Sequence, residues 1–497
     1  MNFKVSHDYD SQADFVLIPL AKQSEFDRLG VFLSSKCGWE AERLRQLFNA
    51  DFKEILPLPF TEAGQAKCVV LLGLGDKLHF RSALTAFRFF MHQYRKKLGG
   101  NMAIDLQYLP VEPLPLARWA EAAVNGLLLG LYDVGLYKTE SNAAAAFDPD
   151  AFTVTCRLPQ PEQGLLEAIE RGRQVAEAQK RILDLVNAPA NKKPPQRLAD
   201  WALESGRQFG YQVKIFDKAE LERMGMHALL AVGRGSEYPP LLISMEYDPG
   251  DPNLPLVALV GKGVTFDTGG LSIKPSNNMY YMKSDMGGAA AVLGTLEAAA
   301  RLRLPVRLLG LVPATENSVD ALSIRPGDVI ESYSGKTIEV VDTDAEGRLI
   351  LADALNYAVK QYQPRYLIDL ATLTGSCVRT LGTQAGGLFS NDDELAHHLE
   401  SCGLETGERL WRLPLWEEYM QEMQSDVADI KNLSGSPAAG AITAAKFLEF
   451  FIEKHPAWAH LDIAGVAFGD SEFSKQKSAT GYGIRLLIEF LGRIAGE

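Results

Sequence analysis

The chain has 497 residues, 46 % of them hydrophobic and 23 % charged; these are globular values that exclude wholesale disorder and provide for two or three domains. Its formal net charge is −13. Residues 1–160 carry 17 basic and 18 acidic side chains, a net of −1, so the other −12 lies in residues 161–497; that region is a poor general surface for nucleic acid, which is held through Lys and Arg, and a natural place for carboxylates that hold cations.

Residues 1–160 alternate strand and helix patterns. Phe15–Pro19 and Cys68–Leu74 are short apolar runs of strand type, and Ser82–Leu98 and Leu116–Leu131 space their apolar residues as helices do. Gly73-Leu74-Gly75 reads as a tight turn rather than a phosphate loop, since no third glycine follows at the dinucleotide-binding spacing. The stretch 148–161 is rich in proline and acid, Gln163–Asn187 has the spacing of a long amphipathic helix, and the prolines of Asn187–Pro195 interrupt regular pairing. These features divide the chain into an N-terminal α/β domain (1–160), a connecting helix (161–186) and a C-terminal domain (187–497).

The C-terminal part is α/β. Leu254–Val260 and Val306–Val312 are continuous apolar runs, the pattern of strands buried on both faces. Thr337–Val341 and Tyr366–Leu370 are further strands; the alanine-rich Asp285–Leu302 and Gly347–Lys360 are helices. Such alternation predicts a mixed or mainly parallel sheet flanked by helices. Functional groups of these sheets gather on loops at the carboxyl ends of the strands.

Five cysteines (Cys37, Cys68, Cys156, Cys377, Cys402) are scattered, odd in number and without CxxC spacing. Neither a disulfide framework nor a thiolate zinc site is expected. The polar start MNFKVSHDYDSQADF is not a signal peptide, and no apolar run has the length of a membrane helix. The expectation is a cytoplasmic protein without a membrane partner.

Three segments concentrate charge beside buried strands. Val260–Lys274 leaves a strand with four glycines between Gly261 and Gly270 and carries Lys262, Asp267 and Lys274. Asp285 stands at the start of the alanine-rich helix, and Asp342-Thr-Asp344-Ala-Glu346-Gly-Arg348 joins a strand to a helix. Singly, each has a plain structural reading: Asp285 as a helix N-cap, the acids before Gly347 as partners of a helix dipole, Lys262 as a solvated lysine. Together they would repel one another, and two divalent cations resolve the repulsion of Asp267, Asp285, Asp344 and Glu346. Asp344 and Glu346, two apart in extended chain, point to one side. Lys262 can join only as a neutral amine, its proton displaced by the metal from a pKa of about 10.4. No histidine lies between residues 228 and 396, so no HExxH helix exists; the eight histidines, among them His397 and His398, read as surface residues.

At this point the sequence resembles the leucine aminopeptidase, or cytosol aminopeptidase, family. Thr343-Asp-Ala-Glu-Gly-Arg-Leu349 is similar to the signature NTDAEGRL, supported by Val260–Lys274, Asp285–Gly288, Arg325–Asp328, Ala371–Gly375 and His460–Gly465. The resemblance covers roughly residues 180–490. It implies a zinc-peptidase-like doubly wound sheet in the C-terminal domain and a peptide-hydrolysing metallo-aminopeptidase, a leucyl aminopeptidase that turns over intracellular peptides. By position it implies Lys262, Asp267, Asp285 and Glu346 around the tighter metal, and Asp267, Asp344 and Glu346 around the exchangeable one. The two ions per subunit are Mn or Zn, with Mg and Co as alternatives. Lys274 matches the electrophilic stabiliser, and Arg348 matches the residue that holds a bicarbonate general base. Met282, Thr372, Leu373 and Gly375 match residues around the substrate side chain.

The resemblance further implies a homohexamer, a dimer of trimers, acting on peptides. Three stretches depart from the family pattern: Asp342 for the usual asparagine, Glu316-Asn-Ser-Val-Asp320, and Ser434-Gly-Ser-Pro-Ala-Ala-Gly440 where Gly-Gly-Arg is common. Two other readings stand beside this one. Clustered carboxylates also serve two-metal phosphoesterases, and some family members bind DNA, for which Arg95-Lys96-Lys97 is the local basic patch here.

Overall fold

Short apolar runs become strands in both halves of the chain. The computed structural model describes residues 1–6, 13–24, 26–98, 101–110, 112–139, 153–157 and 164–496. The chain divides into two units, Met1–Glu177 and Ala178–Glu497, the division falling within the helix Leu165–Asn187. Among the described residues no helix is long and apolar enough to cross a membrane.

In the first unit β1 (Asn2–Ser6), β2 (Phe15–Ala21), β3 (Ile55–Glu62), β4 (Gln65–Gly75), β5 (Met102–Asp105) and β6 (Thr153–Arg157) form one sheet in the order β1-β6-β5-β2-β4-β3. All neighbours are parallel except β3 and β4. Strand alternation sorts β2 between two cores. Leu17 and Ala21 meet the helices Phe80–Tyr94 and Leu116–Gly130, while Val16, Ile18 and Leu20 meet Leu29, Leu33 and Leu44. Gly73 and Gly75 close β4 rather than form a separate tight turn, and pair by backbone with Glu54 and Ala50. Arg95 ends the helix Phe80–Tyr94 and donates to the carbonyls of Leu131 and Tyr132, with Lys96 and Lys97 exposed. Of the proline- and acid-rich stretch, residues 148–152 and 158–161 lie outside the described residues, as does Gln163; the five between are β6.

In the second unit the described strands are β7 (Gln212–Phe216), β8 (Leu241–Tyr247), β9 (Leu256–Gly261), β10 (Gly263–Asp267), β11 (Arg307–Asn317), β12 (Val329–Glu331), β13 (Thr337–Glu339), β14 (Tyr366–Ala371), β15 (Gly386–Ser390), β16 (Leu410–Arg412), β17 (Ile430–Lys431), β18 (Trp458–Asp462) and a two-stranded pair, β19 (Phe468–Asp470) and β20 (Ser478–Ala479). The main sheet runs β16-β15-β18-β14-β9-β11-β8-β7, with β10 on β11; β12, β13 and β17 form a small separate sheet. Its centre, from β18 to β11, is parallel. The buried β9 and the helix Gly287–Leu302 are apolar nearly all round, as elements covered on both sides must be, whereas the helix Glu346–Tyr362 also buries Glu346, Arg348, Asp353 and Asn356. A β-carbon on Gly288 would lie 1.9 Å from the Leu370 carbonyl oxygen, so only glycine lets this helix start so close to β14.

The helix Glu346–Tyr362 is anchored by Asp353, fully buried, which accepts from Leu229 N at 2.9 Å and Tyr333 N at 2.7 Å. Burial pushes its carboxyl up to about 7 against these hydrogen bonds. The folded chain therefore keeps a proton that the unfolded chain releases near the ordinary carboxyl pKa of about 3.9. This contribution to stability is complete below that range and is lost as pH rises through about 7. Asp353→Ala leaves the Leu229 N–H without its acceptor in the core, at a cost of about 1–3 kcal/mol. Chemical denaturation is expected to show the variant less stable, with the wild type's advantage larger at about pH 5 than at about pH 8.

Candidate metal centre

The parallel strands end at one edge of the sheet, where backbone polarity and loop freedom place functional groups. Lys262 follows β9, Asp267 ends β10, Asn317 ends β11, Thr372 follows β14 and Asp462 ends β18. The loop after β10 carries Lys274, and a 3₁₀ turn, Met279–Ser284, delivers Asp285. The turn after β13 leads into the helix Glu346–Tyr362 and supplies Asp344, Glu346 and Arg348.

One oxygen from each of Asp267, Asp344 and Glu346 lies within 4.8 Å of the others, the spacing of a shared cation. Lys262 Nζ is 2.8 Å from both Asp285 Oδ2 and Glu346 Oε1, and donates to Thr372 O at 3.1 Å. Neither of those carboxylate oxygens has a hydrogen bond of ordinary geometry, and both are buried. Lys274 Nζ is 2.8 Å from Asp267 Oδ2 and also pairs with Asp344 Oδ1. A β-carbon on Gly347 would fall 2.7 Å from Lys262 Nζ, so the glycine of the signature segment makes room for this lysine.

Charge governs the site. Burial raises the carboxyl pKa of Asp285 well above its ordinary value, with Lys262 opposing. Burial and then Asp267 raise that of Glu346. Asp344, whose side chain is 35 % exposed, is pushed up to about 6 by burial and then by Asp267. Burial opposes the charge of Lys262, but Asp285, Glu346 and Asp267 outweigh it and raise its pKa. Lys274 is raised in the same way, chiefly by Asp267 against burial. Ionised together, the four carboxylates would exceed the two ammonium groups by two negative charges, and the raised carboxyl pKa values reflect the cost of gathering them in a mostly buried place. Hard oxygen donors with surplus negative charge fit divalent cations.

Neighbours fix the carboxylates. Thr372 Oγ1 donates to Asp285 Oδ1 at 2.8 Å. Asn317 Nδ2 donates to Asp267 Oδ1 at 2.9 Å and to Thr343 O at 3.0 Å. Thr343 Oγ1 ties its loop to Gly269 O at 2.6 Å and accepts from Ser272 N at 2.8 Å. Leu373 N donates to Asp462 Oδ1, and Gly375 opens the next helix. Met282, half-buried, accepts at its carbonyl from Asp285 N. Arg348 is buried; desolvation lowers its pKa to about 10 against Glu346, Asp462 and Asp342.

Two expectations and one of the plain alternatives are corrected. Asp285 is no N-cap: Met286 caps the helix, which starts at Gly287, and the Asp285 side chain faces Lys262 and Thr372 instead. Asp344 and Glu346 are not in extended chain; Asp344 N donates to Asp342 Oδ1 at 2.8 Å, closing a turn, and Glu346 is already helical. They converge because the turn folds back, not because of strand alternation. His455 and His460 are buried rather than at the surface, His460 Nδ1 lying 2.6 Å from Asp369 Oδ1. Thr343 heads the signature-like segment and Asn317 lies in the divergent stretch 316–320, but the sequence does not mark the positioning roles of these two or of Asn432. A polar residue ending an apolar strand was the available signal for Asn317. An asparagine at position 342, as the resemblance implies for the family, would offer the same turn-closing oxygen, so Asp342 keeps the turn and places a carboxylate beside it.

Residues 181–488 match the catalytic domain of the cytosol aminopeptidase family. The chain belongs to that family. A probable cytosol aminopeptidase of Chlorobium limicola is 44 % identical over 468 residues, covering 91 % of this chain and 92 % of its own. That of Chlorobaculum tepidum is 53 % identical over 465 residues, covering 89 % and 90 %. Among solved structures, the bottromycin maturation enzyme BotP in complex with Mn has a TM-score of 0.84 at 34 % identity, covering 97 % of this chain and all of its own. A mutant of tomato leucine aminopeptidase has a TM-score of 0.88 at 31 % identity, covering 99 % and 96 %. As a member of the family the chain is a metallo-aminopeptidase, a peptide hydrolase, on an α/β fold with mainly parallel sheets.

Proposed function

We propose that this aminopeptidase removes leucine and other amino-terminal residues from peptides, with residues 187–497 carrying the chemistry at two divalent ions. The observation that carries this reading is the convergence of Asp267, Asp344 and Glu346 within 4.8 Å, flanked by Lys262 and Asp285. Lys262, Asp267, Asp285 and Glu346 would hold one ion, and Asp267, Asp344 and Glu346 the other, as Mn or Zn, with Mg or Co as alternatives. Bound there, such ions lower the pKa of a water toward about 7 and polarise the scissile carbonyl.

The chain's own groups do the rest. Lys274, kept charged by Asp267, meets the negative charge that develops on the carbonyl oxygen. Thr372 and Asn317 hold Asp285 and Asp267 in one orientation each. Arg348 stays charged at neutral pH; its Nη1 is held by Asn432 O at 2.8 Å, and its buried Nε has no hydrogen-bond partner among the described residues. A planar guanidinium with a free N–H suits a carbonate edge, and in this reading Arg348 holds bicarbonate as the general base. Met282, Thr372, Leu373 and Gly375 border the substrate side chain. A homohexamer in the cytoplasm completes the proposal.

Arg348→Ala is expected to fold, bind manganese and lose most of its turnover of leucine p-nitroanilide, with added bicarbonate no longer accelerating it. Full activity in that variant sinks the assignment of Arg348.

A further inference from the structure

Asn432 follows β17 and is fully buried. Its N–H donates to Glu339 O at 2.9 Å, extending the parallel pairing of β17 with β13. This fixes its backbone to the strand that leads into the metal loop. Its Oδ1 accepts from Val341 N at 2.7 Å and Asp342 N at 3.3 Å. Its Nδ2 donates to Asp342 O at 2.6 Å and Ala345 O at 3.4 Å. Its carbonyl oxygen accepts from Arg348 Nη1.

These contacts bracket Asp344 on both sides and end at the guanidinium. The segment from Val341 to Ala345 lies outside helix and strand, so its backbone groups need partners from elsewhere. A carboxamide offers an acceptor and a donor on one planar group. Aspartate keeps the shape and the acceptor but loses the donor. Partners of this kind around metal ligands set ligand orientation, and their loss commonly costs 10–100-fold in affinity or activity.

We infer that Asn432 is a positioning residue: through one side chain and one carbonyl it sets both the turn that presents Asp344 and Glu346 and the orientation of Arg348. The inference rests on the roles proposed above for those three residues. It goes beyond them because the hydrogen bonds of Asn432 run to backbone groups and to Arg348 and, among the described residues, none runs to a carboxylate of the cluster.

The test compares full-length wild type, Asn432→Asp and Asn432→Ala. The readouts are Mn²⁺ affinity of the metal-free protein by titration calorimetry, kcat and KM for leucine p-nitroanilide, and the dependence of kcat on bicarbonate. Asn432→Asp is expected to bind Mn²⁺ about tenfold or more weakly. Its kcat falls by a similar factor with KM little changed, and it needs more bicarbonate for half its maximal rate. Folded variants with wild-type Mn²⁺ affinity and bicarbonate dependence overturn the inference. Variants that fail to fold, or that lose only thermal stability, assign Asn432 a folding role and overturn it as well. Arg348→Ala measured alongside separates the two levels: full activity there removes the underlying reading, whereas loss there with unchanged Asn432 variants removes this inference alone.

Discussion

Stripping the protein exhaustively of divalent cations is expected to abolish hydrolysis of leucine amides, and adding manganese or zinc to restore it. At neutral pH free water, with a pKa of about 15.7, is too weak a nucleophile toward an amide, and a bound cation brings that value toward about 7. Among the described residues the site offers carboxylates, two lysines and an arginine, and both lysines hold their protons more firmly than usual. A lysine without a lone pair is no general base. The metal-free protein is also expected to unfold at a lower temperature, since ions that bind only the folded form stabilise it by mass action. Residual metal is checked by atomic absorption. Hydrolysis that persists in demonstrably metal-free protein rules the mechanism out.

The second large effect is expected from Lys274→Ala, which folds and binds metal but loses about 10²–10³ in kcat, equivalent to about 2.7–4 kcal/mol of barrier. Lys274 lies on a loop, with its side chain 20 % exposed, and pairs with Asp267 and Asp344. Its removal leaves no cavity in the core; it takes the ammonium partner from the buried Asp267 Oδ2, a place where a bound cation would compensate the charge. What is lost is a fixed ammonium beside the point where negative charge develops. Because that charge exists in the transition state rather than in the bound peptide, kcat falls more than KM rises. Steady-state kinetics with metal content measured on the same samples gives the answer. A kcat within a factor of two or three of wild type with full metal would give Lys274 back to simple charge balance.

The two predictions draw on different parts of the chain's information. The sequence by itself determined the strands and helices, because burial on both faces leaves a local mark: Leu256 to Val260 is apolar without a break, and so is most of the helix Gly287–Leu302. It also marked Lys262, Asp267, Lys274, Asp285, Asp344, Glu346 and Arg348, since glycine-rich loops loaded with charge after apolar strands stand out within a few residues of one another. The tertiary structure alone decided which of these face each other. The neighbours of β9 in the sheet are β11 and β14, segments far along the chain, and strand order is a long-range property that no local pattern encodes. That order brings Thr372 to Lys262 and Asp285. Pairing of β13 with β17 brings Asn432 to the Val341–Ala345 turn. Extended-chain alternation misjudged Asp344 and Glu346 because a two-residue spacing carries no mark of the side-chain bond that closes their turn. Backbone hydrogen bonding and apolar burial favour the elements residue by residue, but only their packing, cooperative over the whole sheet, sets the distances between charges on which the chemistry depends.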